Sequence, residues 1–202
     1  MHQEALFEDL APSPGALPEG LETQAEFLSK EEEGALIEVI RQLPLQEAKY
    51  KEYTARRRVV SYGGKFDYDS NELLPSSELI EALQPLRARV AAWASVKPEE
   101  LVHALVAEYS PGTPLGWHRD VPSFESIFGV SLGSEAVLRF RPYPPARPRK
   151  EDVIKLKVAP RSIYAMRGVA RWGWQHSVVP VEELRWSITF RTARTGASAC
   201  AA

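Results

Sequence analysis

The sequence contains a single cysteine and no long apolar run. Cys200 has no partner among the 202 residues, which excludes a disulfide framework and fits a reducing compartment. No stretch approaches the roughly 18 apolar residues that a membrane helix needs. The first residues, Met-His-Gln-Glu, also lack a basic and then apolar signal. We therefore expect a cytoplasmic protein with no membrane partner.

An excess of one charge is also missing. Lys and Arg number 25 against 27 Asp and Glu, which gives a formal net charge of −2. This balance argues neither for nor against a nucleic-acid partner, so only a local basic patch could provide the attraction. Binding through such a patch is expected to weaken in salt.

One domain is predicted between two irregular ends. Residues 11–20 contain three prolines, which remove backbone donors and fix φ, so residues 1–28 are expected to form a partly irregular leader. Residues 29–195 are expected to form the domain. The small-residue segment 196–202 is expected to be a flexible tail.

Two helices are predicted ahead of a series of strands. Ser29 followed by Glu32 is a capping box, and helical apolar spacing continues to Pro44. A second helix is expected from Ser77 to about Ser95, kinked or divided at Pro85.

From residue 101 the pattern changes to short apolar or alternating runs separated by Gly and Pro. The runs are Leu101–Tyr109, Ile127–Leu132, Ala136–Tyr143, Val153–Val158, Ser162–Arg167, His176–Val181 and Arg185–Thr192. Repeated short strands are typical of a sandwich or a jelly roll. We predict an α+β domain in which the two helices cover one sheet from outside.

Three side chains have the order of ligands found in a 2-His-1-carboxylate iron site. His118 and Asp120 lie two residues apart, on the same side of an extended segment, and His176 follows far downstream. Such a site leaves coordination positions open for a substrate and dioxygen. A surface turn with two solvated polar groups is the alternative for the first pair. Of the other histidines, His2 lies in the leader, and a structural role is expected for His103.

Arg185 and Arg191 share one face of the last predicted strand with Ser187 and Thr189. That face is either exposed to solvent or the wall of an interior pocket that binds acids. The planar guanidinium suits bidentate carboxylate binding, so the pair could hold both ends of a small diacid against the metal.

Upstream of the strands, about residues 54–70, the chain combines three arginines with aromatic side chains around two glycines. Tyr62, Phe66 or Tyr68 could stack on an extruded base while arginines contact phosphate. An ordinary surface hairpin explains the pattern equally well. Trp117, Arg119, Trp172 and Trp174 could line the mouth of the pocket, and a place in the core is the alternative for the tryptophans.

Together these motifs resemble the AlkB family of iron(II)- and 2-oxoglutarate-dependent dioxygenases. The resemblance runs from about residue 56 to 193 and rests on Ala107–Gly112, His118-Arg119-Asp120, Val130–Gly133, Met166-x-Gly168, His176 and Arg185-x5-Arg191. It implies a double-stranded β-helix, an open jelly roll with N-terminal helices packed on one sheet. It also implies Fe(II), 2-oxoglutarate and O2 as cofactor and co-substrates.

The resemblance also implies roles for single residues. His118, Asp120 and His176 would bind the iron. Arg185 and Tyr109 would hold the distal carboxylate of 2-oxoglutarate with Ser187 nearby, and Arg191 the carboxylate next to the keto group. Many members of the family have Asn where this chain has Ala107, and repair enzymes often have an acidic residue where it has Pro122.

The activity implied is oxidative demethylation of alkylated DNA or RNA bases, a DNA-repair type of reaction. It releases formaldehyde, succinate and CO2. Hydroxylation of a modified RNA nucleoside or of a protein side chain is the alternative, and the segment Leu132–Glu135 with Pro160–Ser162 looks closer to the branch that hydroxylates wobble nucleosides in transfer RNA. A non-catalytic binding domain with a vestigial metal site is a third hypothesis. We expect a monomer.

Overall fold

The structure is a computed structural model that describes residues 17–50, 53–67, 72–74, 76–145 and 152–194. Within these ranges the chain forms three α-helices, two 3₁₀ turns and thirteen strands. The helices are α1 (Lys30–Arg41), α2 (Gln84–Ala94) and α3 (Gly168–Trp172), and the 3₁₀ turns are Glu81–Leu83 and Pro98–Glu100. The strands are β1 (Leu21–Gln24), β2 (Gln46–Tyr50), β3 (Tyr53–Tyr62), β4 (Lys65–Asp67), β5 (Glu72–Leu74), β6 (Leu101–Tyr109), β7 (Leu115–His118), β8 (Phe124–Leu132), β9 (Ala136–Pro142), β10 (Ile154–Val158), β11 (Ile163–Met166), β12 (Trp174–Val178) and β13 (Arg185–Ala193).

Two antiparallel sheets dominate the fold. The large sheet has seven strands in the order β1-β11-β8-β13-β6-β3-β2, and the small sheet has four in the order β10-β9-β12-β7. Strands β4 and β5 form a separate hairpin. From β6 to β13 the chain alternates between the two sheets, except at the consecutive pair β9 and β10. This winding is that of a double-stranded β-helix, so the predicted fold class is confirmed.

Helices α1 and α2 cover the outer face of the large sheet, as predicted. Ile40 of α1 and Val90 of α2 are fully buried in one apolar cluster with Ile188 of β13. The capping box at Ser29 and Glu32 is present, because each side chain accepts a hydrogen bond from the other residue's backbone N–H.

The second helix begins later than predicted. Pro85 lies in the first turn of α2 and not in its middle, because that turn needs no donor from the proline nitrogen. Of the two expected effects of Pro85, a kink within α2 is absent, and the helical segment is instead divided just before the proline into a 3₁₀ turn and α2.

Residues 21–28, which we expected in an irregular leader, are part of the fold. Strand β1 pairs with β11 at the edge of the large sheet, and Phe27 and Leu28 are buried in the helix-side cluster. The seven predicted runs correspond to β6 and β8–β13. Strands β1–β5 and β7 were not among the predicted runs.

The second apolar cluster lies between the sheets, and one glycine shapes it. Gly129 of β8 is paired with Tyr164 of β11, and a Cβ at Gly129 would overlap the Tyr164 ring. The glycine therefore lets a large aromatic ring lie flat against the inner face of the large sheet. None of the helices in the described ranges has both the length and the apolar character needed to cross a bilayer.

We predict that Ile188→Ala lowers the free energy of unfolding by about 2–5 kcal/mol, because it opens a cavity at a fully buried position between sheet and helices. Urea unfolding measures the change. Val102→Ala on β6 is the control, since Val102 is 40% exposed, and it should cost less than about 1 kcal/mol. Equal losses would contradict the packing described.

Candidate active site

Strand pairing brings three candidate metal ligands together. His118 on β7 and His176 on β12 are direct partners across the small sheet, and their ring centroids are 4.2 Å apart. Asp120 follows β7, and its Oδ2 lies 3.6 Å from Nε2 of His176. The ligand atoms of all three residues lie within 4.8 Å of one another. Two imidazoles and one carboxylate are the donor set that non-haem Fe(II) prefers.

The two histidines are held in their neutral, metal-binding form. Nδ1 of His118 lies 2.8 Å from the carbonyl oxygen of Gly116; a carbonyl can only accept, so Nδ1 carries the proton and Nε2 is the available donor atom. Burial lowers the pKa of His118. Burial, and then the neighbouring His118, lower the pKa of His176 to about 3.

Asp120 is fixed by a buried arginine. Nε and Nη2 of Arg191 donate to Oδ1 of Asp120 at 3.1 and 2.8 Å, which leaves Oδ2 directed toward His176. Burial alone would raise the pKa of Asp120, but Arg191 and then His176 hold it well below its usual range. The carboxylate is therefore ionised at any physiological pH.

His103 extends this chain of contacts. It pairs with Arg191 across β6 and β13, and its Nδ1 lies 3.1 Å from Nη1 of Arg191. Arginine can only donate, so Nδ1 of His103 accepts and carries no proton. Burial and then Arg191 lower the pKa of His103 to about 3. Arg191 thus contacts Asp120 and His103; its predicted contact with 2-oxoglutarate stays a prediction.

Arg185, at the start of β13, is buried and only 1% exposed. Its Nε donates to Oγ of Ser131 at 3.3 Å, and its guanidinium carbon lies 5.1 Å from the centroid of the Tyr109 ring. No acidic side chain in the described ranges forms an ion pair with it. A buried cation of this kind is suited to an anionic ligand.

Tyr109 lies between two arginines. Nη1 of Arg57, on β3, donates to its hydroxyl at 3.4 Å, and Ser187 hydrogen bonds with the same group. Burial raises the pKa of Tyr109, but the charges of Arg57 and Arg185 outweigh burial and lower it overall. The hydroxyl is thus held in a strongly positive environment.

One cavity of about 1340 Å³ contains all of these groups. The polar face of β13 forms one wall, so the alternative that this face is exposed to solvent is excluded. Burial raises the pKa of Tyr164 to about 12, so its phenol stays neutral beside Arg185. The lining includes Arg57, His103, Ala107, Tyr109, His118, Asp120, Tyr164, His176, Arg185, Ser187, Thr189 and Arg191.

The predicted substrate-contacting residues are distributed differently. Trp117 and Arg119 line the cavity. Tyr62 is 4% exposed and lies in the helix-side core, on the face of β3 opposite the cavity, so the structure contradicts its expected stacking role. Phe66 belongs to β4, and only its backbone is described. Tyr68 lies outside the described residues.

Several residues at the site were not predicted. Arg57 was seen only as part of a cationic run, and His103 was interpreted as structural. Tyr164 and Arg171 gave no signal, although Nη2 of Arg171 donates to the carbonyls of Asp120, Val121 and Phe124 and so shapes the loop after the candidate ligands His118 and Asp120. These contacts depend on the pairing of strands that are distant in the sequence, so the sequence pattern alone does not predict them.

The comparisons with known proteins agree with this geometry. The model of the 2OG-Fe(II) oxygenase superfamily matches residues 20–194. The chain belongs to this superfamily. Its sequence and fold are similar to those of AlkB-like oxygenases, as the sequence motifs predicted, and the superfamily is that of 2-oxoglutarate-dependent dioxygenases, which use Fe(II), 2-oxoglutarate and O2.

Two proteins with similar sequences match different shares of this chain. The mouse tRNA (carboxymethyluridine(34)-5-O)-methyltransferase ALKBH8 is 29% identical over 175 residues, which are 82% of this chain and 25% of ALKBH8. The uncharacterized protein L905 of Acanthamoeba polyphaga mimivirus is 33% identical over 108 residues, 47% of this chain and 48% of L905. The chain therefore spans about a quarter of the length of ALKBH8.

Two solved structures share the fold of the oxygenase. OsALKBH1 superimposes with a TM-score of 0.63 at 17% identity, over 88% of this chain and 98% of the other. A Pseudomonas putida prolyl-4-hydroxylase gives 0.60 at 16% identity, over 88% and 94%. These similarities support the double-stranded β-helix.

We predict that Asp120→Ala lowers the affinity for Mn²⁺, a stand-in for Fe²⁺, by roughly 100-fold or more, because it removes the only anionic ligand. Titration calorimetry on the chelator-treated oxygenase measures the affinity. Glu125→Gln, a carboxylate outside the cavity, is the control and should bind Mn²⁺ like the wild type. Unchanged binding by Asp120→Ala would contradict the proposed metal site.

The buried neutral His103 predicts a dependence of stability on pH. The folded pKa of about 3 lies below the unfolded value of 6.5. Only the unfolded chain takes up this proton as the pH falls below 6.5, so the contribution is complete above 6.5 and is lost below it. Urea unfolding of the metal-free protein should show this loss between pH 7.5 and 5.5.

In His103→Gln, which keeps an acceptor for Arg191, that loss should be smaller by about 1 kcal/mol. Contributions from His176 occur in both proteins and cancel in the comparison. Equal losses in the two proteins would show that His103 is not held neutral in the folded state.

Proposed function

We propose that this oxygenase oxidises an alkyl group on a base of DNA or RNA and so removes it from the base. The observation that carries the proposal is that the candidate metal ligands share one cavity of about 1340 Å³ with Arg185 and Arg191, the arginines predicted to bind the acid. Pockets for a single drug-sized ligand have roughly 300–1,000 Å³. The volume therefore leaves room beside 2-oxoglutarate for a flat base rotated out of its strand.

Arg185 is the proposed partner of the distal carboxylate of 2-oxoglutarate. The guanidinium is buried and fixed by Ser131 and Tyr109, so little entropy is lost when the anion binds. The hydroxyls of Tyr109 and Ser187 are adjacent donors. Arg57 strengthens the positive field on the side where Ala107 replaces the amide found in many relatives.

His118, Asp120 and His176 are the proposed iron ligands. When bound there, Fe(II) supplies the activation of dioxygen that couples decarboxylation of 2-oxoglutarate to oxidation of a substrate C–H bond. The protein holds both histidines neutral and Asp120 ionised. A hydroxylated N-methyl group then releases formaldehyde and leaves the unmodified base.

A second candidate is hydroxylation of a modified nucleoside in transfer RNA. The relative ALKBH8 is by name a tRNA carboxymethyluridine methyltransferase, and its similarity covers 82% of this chain. Pro122 supports this candidate too, because it has no acidic group with which to recognise a methylated base. The two candidates share the same chemistry and differ in the substrate.

A substrate panel distinguishes the candidates. The Fe(II)-loaded oxygenase is incubated with 2-oxoglutarate and with oligonucleotides that carry single N-methylated bases, or with RNA that carries carboxymethyluridine at one position. Mass spectrometry then scores loss of a methyl group against gain of one oxygen. We expect loss of methyl from a methylated base, with an equal amount of succinate.

His118→Ala is the control and should form no succinate, because the metal site loses a ligand. Gain of oxygen on the carboxymethyluridine RNA alone would favour the second candidate. Unchanged succinate formation by His118→Ala would refute both candidates.

A further inference from the structure

The outer face of the small sheet concentrates positive charge. The four strands β7, β9, β10 and β12 contain Arg139, Arg141, Lys155 and Lys157 and no Asp or Glu, although the whole chain has a net charge of −2. On β9 the buried Leu138 and Phe140 point between the sheets. Side chains alternate along a strand, so the two arginines point outward. We call Trp117, Arg139, Arg141, Lys155 and Lys157 the cationic face.

Trp117 connects the two arginines. The guanidinium carbons of Arg139 and Arg141 lie 5.0 and 4.4 Å from the centroid of its ring. Both arginines also donate to side chains of the neighbouring strand β12. Nε of Arg139 donates to Oγ of Ser177 at 3.0 Å, and Nε of Arg141 donates to Oε1 of Gln175 at 2.8 Å. Cation–π contacts and hydrogen bonds therefore hold both guanidiniums in fixed positions beside Trp117.

No opposite charge neutralises these two arginines within the described ranges. The ion pair of the cationic face joins Lys157 to Glu135 at 3.2 Å, and Arg139 and Arg141 pair with no described carboxylate. Lysines on an edge strand such as β10 also discourage unwanted strand pairing. Strand β9 is an interior strand, so that explanation does not extend to its arginines. Two fixed like charges repel each other, and an anionic partner would relieve the repulsion.

The cationic face is continuous with the mouth of the cavity. Trp117 belongs both to the face and to the cavity lining, and Arg119, two residues on, also lines the cavity. The guanidinium carbon of Arg119 lies 3.7 Å from the centroid of the exposed Tyr143 ring. A chain-like polyanion on the face could therefore direct one of its units into the cavity.

We propose that the cationic face binds the phosphate backbone of a single-stranded nucleic acid next to the base that enters the cavity. The proposal rests on the proposed function, because it takes the substrate to be part of a nucleic acid. Regularly spaced cations beside aromatic rings are the combination that single strands require. A single nucleoside or a free base would not reach the face.

The test uses the 202-residue chain and an unmodified, fluorescently labelled single-stranded oligonucleotide. Anisotropy gives the dissociation constant over a series of salt concentrations. For the double variant Arg139→Gln/Arg141→Gln, which keeps amide hydrogen-bonding groups, we expect about tenfold weaker binding. The slope of log affinity against log salt should become shallower by about 1.4, since each single-strand phosphate contact contributes about 0.7.

Arg41→Gln/Arg89→Gln is the matched control. It removes two arginines from the helices on the other side of the large sheet, where each pairs with a glutamate, and should bind like the wild type. Lys155→Gln/Lys157→Gln tests the same face at two exposed positions whose replacement leaves the core intact. This variant should also bind more weakly and with a shallower slope. Thermal unfolding shows whether each variant is folded.

An unchanged dissociation constant and slope in both variants of the cationic face would overturn the proposal. A preference of the wild type for vesicles that contain phosphatidylserine, or for polyglutamate, over the oligonucleotide would also overturn it. Binding that depends on the arginines, without oxidation of any base in the panel, supports the face and refutes the proposed function. Oxidation of a base in the panel, together with binding that does not depend on the arginines, would support the proposed function and refute the role of the cationic face.

Discussion

The pairing of β7 with β12 is the constraint on which the candidate active site depends. It places His118 directly opposite His176, although the two are far apart in the chain. Strand β12 is also paired with β9, where Phe140 lies opposite His176. A slip of one residue would turn His176 to the outer face of the small sheet. The double-stranded β-helix therefore sets the register of the two histidines among the candidate metal ligands.

In the large sheet, strand β13 positions the two arginines of the candidate active site. It lies between β6 and β8, with Trp186, Ile188 and Phe190 toward the helices and Arg185 and Arg191 toward the cavity. Burying two guanidiniums is costly unless each has partners. The partners of Arg191 are Asp120 and His103. Those of Arg185 are the hydroxyl of Ser131 and the aromatic ring of Tyr109. Arg191 is therefore the cation that orders the candidate metal site, and Arg185 is the cation suited to bind an anion.

Much of this arrangement could be predicted from the sequence because polar and apolar side chains alternate along β9, β10 and β13. With four histidines in the chain, the order His118, Asp120, His176 left few alternatives, and β13 showed its two faces directly. Arg57 and Tyr164 could not be predicted, because their positions depend on which strands become neighbours. Tyr62 shows the same limit, since nothing in the sequence of β3 says which face meets the helices. Strand β1 is short and pairs only at an edge, so its sequence carries little pattern.

The close approach of Tyr164 to Gly129 has a consequence for the choice of co-substrate. The ring occupies the space that any side chain at position 129 would need, and it lines the same cavity as Arg185. With the distal carboxylate of 2-oxoglutarate at Arg185, as proposed, the bare Cα of Gly129 and the phenol of Tyr164 would together limit the length of keto acid that fits. An engineer could exchange these two positions together, with a larger residue in one and a smaller in the other, to make an oxygenase driven by an unnatural co-substrate.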